Sequence, residues 1–174
     1  MKYSSEREMY PGVCVWLETF LRERHRRSEV KVCDGSRKSL ARLITDNGIH
    51  KRMPPEWVSW DIQVDVVGFV FQKKYTVTAF VECKNSALTL RDLSQLLGYS
   101  RIALPRYSFL ISPQGPSDSL RSLLMSFNRR DVLRFDEPAG HLPRSIVVAK
   151  WHPPGESIDW GTVIADDSFR IGRL

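Results

Sequence analysis

Long apolar runs are missing from this sequence. None of its 174 residues belongs to a stretch that approaches the roughly 18 consecutive apolar positions a membrane-spanning helix needs. No membrane partner is therefore expected. The opening residues, Met-Lys-Tyr-Ser-Ser-Glu-Arg-Glu, lack the apolar centre of a secretory signal, and a cytoplasmic location is the expectation. Cysteine is scarce. Cys14, Cys33 and Cys83 are the only three, with no Cys-x-x-Cys spacing, which argues against a disulfide framework and against a four-cysteine zinc or iron–sulfur site. The histidines, His25, His50, His141 and His152, have no metal-ligand spacing. Nucleophile-elbow, Walker A and dinucleotide-binding glycine patterns are also absent. Acid is in deficit: Lys plus Arg number 26 against 20 for Asp plus Glu, a net charge of +6. A basic domain favours polyanionic partners, nucleic acid first, with general solubility as the plain alternative. At 42% hydrophobic and 26% charged, the composition is that of a folded globular chain rather than a disordered one.

The apolar pattern predicts a chain of helices and strands. Met9, Val13, Trp16, Leu17 and Phe20 recur at spacings of three and four, giving a helix over 4–24 that starts or kinks at Pro11. Glu6 lies three residues before Met9, on the side of that stripe. A basic stretch follows, from Arg22 to Lys31 and on through Arg37, Lys38, Arg42, Lys51 and Arg52, with a short strand over 30–33. Residues 60–71 and 75–84 are rich in β-branched and aromatic side chains, and Gln72-Lys73-Lys74 between them suits a turn, so they predict a hairpin. Thr89 with Asp92 opens a helix over 89–103 like a capping box, and Leu93, Leu96, Leu97 and Ile102 supply its apolar face. Further strands are expected at 107–111, 132–135 and 146–151, with a second short helix over 117–127. The last twenty residues are expected to be irregular or to add to a sheet edge. A helix between the strands at 75–84 and 107–111 makes a crossover, so these two should run parallel in a mixed sheet with helices on both faces.

The hairpin brings chemistry together. With Gln72 to Tyr75 as the loop, Phe71 faces Thr76, Val67 faces Phe80 and Asp65 faces Glu82. Opposed residues share a face, with Cβ atoms about 4.5–5.5 Å apart. Lys84, two positions beyond Glu82, points the same way. Val77, Ala79, Val81 and Cys83 take the other face. Paired carboxylates at the end of apolar strands repel and need a cation, and hard divalent ions such as Mg²⁺ select such oxygens. A surface Glu–Lys pair is the plainer reading of Glu-x-Lys alone. Glu29-Val30-Lys31 repeats that spacing without a facing carboxylate and reads as solvated. Gln95 and Tyr99, four apart, share a face of the following helix. Trp151 and Trp160 read as packing residues rather than base-stacking ones.

Asp65, then Glu82-Cys83-Lys84, then Gln95-Leu96-Leu97-Gly98-Tyr99 resembles the PD-(D/E)xK nuclease superfamily, most closely the branch with RecB-type nuclease domains. The likeness spans roughly residues 6–111. It implies a restriction-endonuclease-like α/β core of order αβββαβ, read as a single domain over 1–174 with its core at about 4–151 and a C-terminal extension from about 152. By resemblance, Asp65, Glu82 and the Cys83 carbonyl would hold Mg²⁺ or Mn²⁺. Lys84 would orient or help deprotonate the attacking water. Glu6 corresponds to an acidic residue many members carry on the first helix, and Gln95 and Tyr99 would sit beside the site. The proline that usually precedes the aspartate is missing, and Asp61 stays open as a second acidic candidate should the turn be longer. The implied activity is metal-dependent hydrolysis of DNA, including structure-selective cleavage by a homodimer. Lys73, Lys74, Arg91 and Arg101, with Arg106, are candidates to track phosphates. An RNA-directed nuclease and a non-catalytic nucleic-acid-binding or assembly protein on the same fold are the rival readings.

Overall fold

The computed structural model describes residues 3–140 and 143–166. His141 and the last eight residues of the expected C-terminal extension fall outside them. A 3₁₀ turn at Glu6–Glu8 leads into α1 (Tyr10–Arg24), with Pro11 in its first turn, where a missing N–H costs nothing. Next come β1 (Glu29–Asp34), α2 (Leu40–Asp46), β2 (Val66–Phe71), β3 (Thr76–Cys83) and α3 (Leu90–Ala103). The chain continues through β4 (Tyr107–Ser112), α4 (Asp118–Arg121), β5 (Arg134–Asp136), β6 (Arg144–His152) and β7 (Ser157–Ile164). This is an α/β fold with an open, mixed, seven-stranded sheet. The strand order is β1-β2-β3-β4-β6, and β5 and β7 pair with the beginning and the end of β6. β3 runs parallel to β4 and β4 to β6, while β1, β2 and β3 form an antiparallel meander. No helix among the described residues is long and apolar enough to cross a membrane.

Strand alternation divides the interior into two layers. On one face α1 lays Met9, Val13 and Leu17 against Val66, Ala79, Val81 and Cys83. On the other, α2 and α3 lay Leu40, Leu43, Leu93 and Leu96 against Val67, Phe80 and Leu110. The expected hairpin register holds from Phe71 opposite Thr76 through Val67 opposite Phe80, but the ladder ends at Val66 opposite Val81, so Asp65 and Glu82 are not the facing strand pair expected: Asp65 turns to Tyr10 of α1 and the Cys83 N–H instead. The capping box of α3 forms as expected: Thr89 accepts from the Asp92 N–H and the Asp92 carboxylate accepts from Thr89.

Several boundaries differ from the sequence reading. Residues 60–65 are not strand. The Trp60 and Ile62 carbonyls accept from the N–H groups of Ala41 and Leu40, so α2 takes the bonds a sheet partner would need. α2 itself was not expected, because the basic stretch hides its short apolar face of Leu40, Leu43 and Ile44. The strand expected at 132–135 is a 3₁₀ turn (Arg130–Leu133) followed by the three-residue β5. The helix expected over 117–127 is α4 continued by a wider π-type turn at Ser122–Ser126. Ile102 is 51% exposed rather than part of the apolar face of α3. Glu29 and Lys31 lie exposed on the outermost strand, as a solvated pair should. Trp151 is fully buried, and Trp160 stacks on Phe20, so both pack.

Candidate functional site

At one end of the sheet β2 begins and β3 finishes, and the chemistry gathers there. Asp65 precedes the first residue of β2 by one position. Its main chain is pinned, because the Gly35 N–H donates to its carbonyl at 2.9 Å. Both of its carboxylate oxygens are also held: the Tyr10 hydroxyl donates to Oδ1 at 2.8 Å and the Cys83 N–H donates to Oδ2 at 2.8 Å. The carboxylate thus stands where the ladder between β2 and β3 ends, tying α1 to β3.

Glu82 is the next-to-last residue of β3 and 2% exposed, facing the α3 layer. Its Oε1 accepts from Lys84 Nζ at 2.9 Å and from Gln95 Nε2 at 3.0 Å. Its Oε2 is buried with no hydrogen-bond partner. A buried carboxylate oxygen without a donor is costly and marks a place for a cation or an unbound donor. Lys84 Nζ also lies 3.9 Å from Glu6 Oε2. Asn85 Nδ2 donates to the Tyr3 carbonyl at 2.8 Å, which ties the N-terminal segment down beside the end of β3 and sets Glu6 near Lys84.

Electrostatics follow from this packing. Burial pushes the Glu82 carboxyl up to about 7; the Asp65 charge pushes the same way and Lys84 opposes. Burial works against the Lys84 charge, but Glu82 beside it prevails and the ammonium is held above its ordinary range. Burial, then the bond to Asp65, raises the Tyr10 hydroxyl, so it stays a donor. Burial likewise raises the Cys83 thiol well above its usual range. At neutral pH that thiol is no thiolate ligand, which leaves the Cys83 carbonyl as its only donor suited to a hard cation.

Of the residues singled out by sequence, Glu6, Glu82, Lys84 and Gln95 are joined by direct contacts, and the Asp65 charge acts on both Glu82 and Lys84. Tyr99 is half-buried one turn beyond Gln95, and burial raises its hydroxyl, with the Glu82 charge acting in the same direction. Asp61 is exposed, in the irregular stretch before β2. Arg91 is exposed in the first turn of α3, at the site's end of the molecule. Lys73 and Lys74 are exposed in the hairpin turn, at the opposite end of β2. Six residues at about 3.3 Å each put them roughly 20 Å away. Arg101 and Arg106 also lie toward that far end, in the last turn of α3 and just before β4. Tyr10 and Gly35 were missed. Tyr10 lies outside the stripe read for the first helix, and only its contact with Asp65 marks it out. Gly35 left no signal beyond its position after β1.

Among the described residues, no three His, Cys, Asp or Glu side chains cluster as metal ligands. The oxygen donors at hand are the Asp65 and Glu82 carboxylates and the Cys83 carbonyl. Such a set suits Mg²⁺, which commonly keeps several waters and takes one or two carboxylates. The unpartnered Glu82 oxygen agrees with it. The fold and site together define an α/β domain with a carboxylate–lysine cluster at its strand ends. No protein-family model matches the chain, and no curated protein or solved structure matches it either.

Gly35 offers a structural check on this arrangement. A Cβ there would overlap the Val64 carbonyl oxygen. Gly35→Ala is expected to lower stability by about 1–3 kcal/mol, read as a drop in thermal midpoint, and to loosen Asp65 with it.

Proposed function

We propose that this chain is a metal-dependent nuclease with a restriction-endonuclease-like core, hydrolysing phosphodiester bonds in DNA. The observation that carries the reading is the buried Glu82 carboxylate, bonded through one oxygen to Lys84 and Gln95 and unpartnered through the other, beside the twice-bonded Asp65. Asp65, Glu82 and the Cys83 carbonyl would hold Mg²⁺ or Mn²⁺, which when bound acidifies water and neutralises charge developing on the phosphate. Lys84, kept charged by Glu82, orients the attacking water and faces the phosphate oxygens. Gln95 fixes the Glu82 carboxylate. Glu6, near Lys84, is placed to hold the ammonium or a water.

The test is direct. Labelled linear, branched and single-stranded DNA, with matched RNA, is incubated with Mg²⁺ or Mn²⁺. Cleavage of DNA that Lys84→Ala and Glu82→Ala proteins lack supports the reading; cleavage that survives in both variants sinks it. Preference for the RNA would redirect it to an RNA-cleaving enzyme. The lack of a third side-chain ligand among the described residues favours one second reading, a protein that binds nucleic acid without cutting it. Binding without cleavage under every metal would establish that one.

Tyr10 gives a finer prediction. Tyr10→Phe removes only the donor to Asp65 Oδ1 and leaves the ring in the core. Residues that orient a metal ligand typically contribute about 10–100-fold in metal affinity. Calorimetric titration of Mg²⁺ should show at least about a 10-fold weaker affinity at the low end of that range, with circular dichroism showing the metal-free variant still folded and its thermal midpoint lowered by the lost bond.

A further inference from the structure

The end of the sheet opposite the carboxylates carries a different surface. A groove of about 560 Å³ opens between the start of β3, the end of α3 and the segment before β2. Its rim bears His25, Arg106 and Arg144, and its floor holds Trp60, Met53 and Leu104. No acidic residue lines it. Tyr75, in the hairpin turn, stands at its edge with 59% of its surface exposed. A second trough adjoins it, sharing His25 and Gln72 and adding Arg24, Arg26 and Arg27 against one acid, Glu23. Arg26 and Arg27 are exposed and pair with no described acid, as are Lys73 and Lys74 in the neighbouring turn. Glu6, Asp65 and Glu82 gather at one end of the sheet, whereas this end carries Arg26, Arg27, Lys73 and Lys74, which pair with no described acid.

We propose that this groove binds a single-stranded segment of nucleic acid, with phosphates on Arg26, Arg27 and Arg106 and a base against Tyr75. The choice of nucleic acid as partner rests on the proposed function; the surface itself does not depend on the hydrolytic chemistry. Cations without counter-acids supply the attraction to phosphates. The apolar floor and the exposed ring need unstacked bases, which a paired duplex keeps inside its stack. A strand held here would sit roughly 20 Å from Glu82 along β2 and β3, so the groove would grip substrate at a distance from the bond to be cut.

The experiment uses the full chain in metal-free buffer, so that the proposed metal-dependent cleavage is suspended. Fluorescence anisotropy with labelled oligothymidine, a hairpin duplex and anionic phosphatidylserine vesicles is recorded over a salt series. Three variants are compared with the parent: Arg26→Ala/Arg27→Ala, Tyr75→Ala, and Arg37→Ala/Arg121→Ala as a charge-matched control on exposed residues elsewhere. For oligothymidine, the first should bind about 10-fold more weakly, with a salt slope shallower by about 0.7 for each phosphate that no longer meets an arginine. Tyr75→Ala should also bind about 10-fold more weakly, with its slope unchanged, because stacking carries no counterion. The control should bind like the parent. Equal losses in the control, or tighter binding of duplex or vesicles than of the single strand, would overturn the proposal. A parent that binds through the groove but cuts nothing once metal is added would remove the nuclease reading and leave the groove standing. Groove variants that bind like the parent while the parent cuts would do the reverse.

Discussion

Lys84→Ala is expected to reduce single-turnover DNA cleavage on the order of 1000-fold, with the protein still folded. The Lys84 ammonium lies 2.9 Å from Glu82 Oε1 and is the nearest cation to the cluster. Removing one preorganised charge or donor from such a site typically costs about 100–1000-fold in rate. The loss here also reaches the proposed ligand set. Without Lys84, Glu82 keeps only Gln95 as partner, and its carboxyl moves further up. Lys84→Arg should rescue little, since a planar guanidinium does not occupy the place of a compact ammonium. Glu82→Ala removes the buried carboxylate proposed to hold the metal and should be at least as damaging. Rates at saturating Mn²⁺, with circular dichroism of each variant, check this. A Lys84→Ala protein that cuts within a few-fold of the parent would contradict the assigned role.

The second large effect concerns pH and stability. In the metal-free protein the Glu82 carboxyl is raised from 4.5 to about 7, chiefly by burial. Between those pH values the folded chain holds a proton that the unfolded chain has released. Stability from this group is therefore fully present below about pH 4.5 and is lost as pH rises through about 7. At about 1.4 kcal/mol per pH unit between 4.5 and about 7, the change is on the order of 3–4 kcal/mol. Exposed carboxylates such as Asp46 and Asp131, held low by bonds to Lys38 and Arg129, act in the opposite direction at lower pH. The comparison with Glu82→Gln isolates the effect, because the variant cannot titrate there. Chemical unfolding at pH 5, 6, 7 and 8 should show the parent losing stability relative to Glu82→Gln as pH rises. Added Mg²⁺ should raise the parent's thermal midpoint more at pH 8 than at pH 5.5, since the ion binds the deprotonated form. No Mg²⁺ effect at either pH would count against a metal site on these residues.

Much of this was readable in the chain itself. Enrichment in β-branched and aromatic residues over 60–71 and 75–84 pointed to the hairpin, and the two-residue period of a strand leaves a single register once the turn is placed, so Glu82 and Lys84 had to share a face. Thr89 and Asp92 announced α3, and the helix between β3 and β4 required those strands to be parallel. These are local or nearest-neighbour properties, encoded within a few residues of where they act. Tertiary structure alone decided the rest. That Tyr10 on α1 donates to Asp65, fifty-five positions away, depends on how a helix seats on a sheet, which no spacing records. The same holds for Gly35 anchoring Asp65, for the diversion of 60–65 from the sheet by α2, and for the separation of Lys73 and Lys74 from the carboxylates by the length of a strand. Side-chain period is written along the sequence; which distant surfaces meet, and which buried oxygen is left without a donor, is settled only when the layers pack.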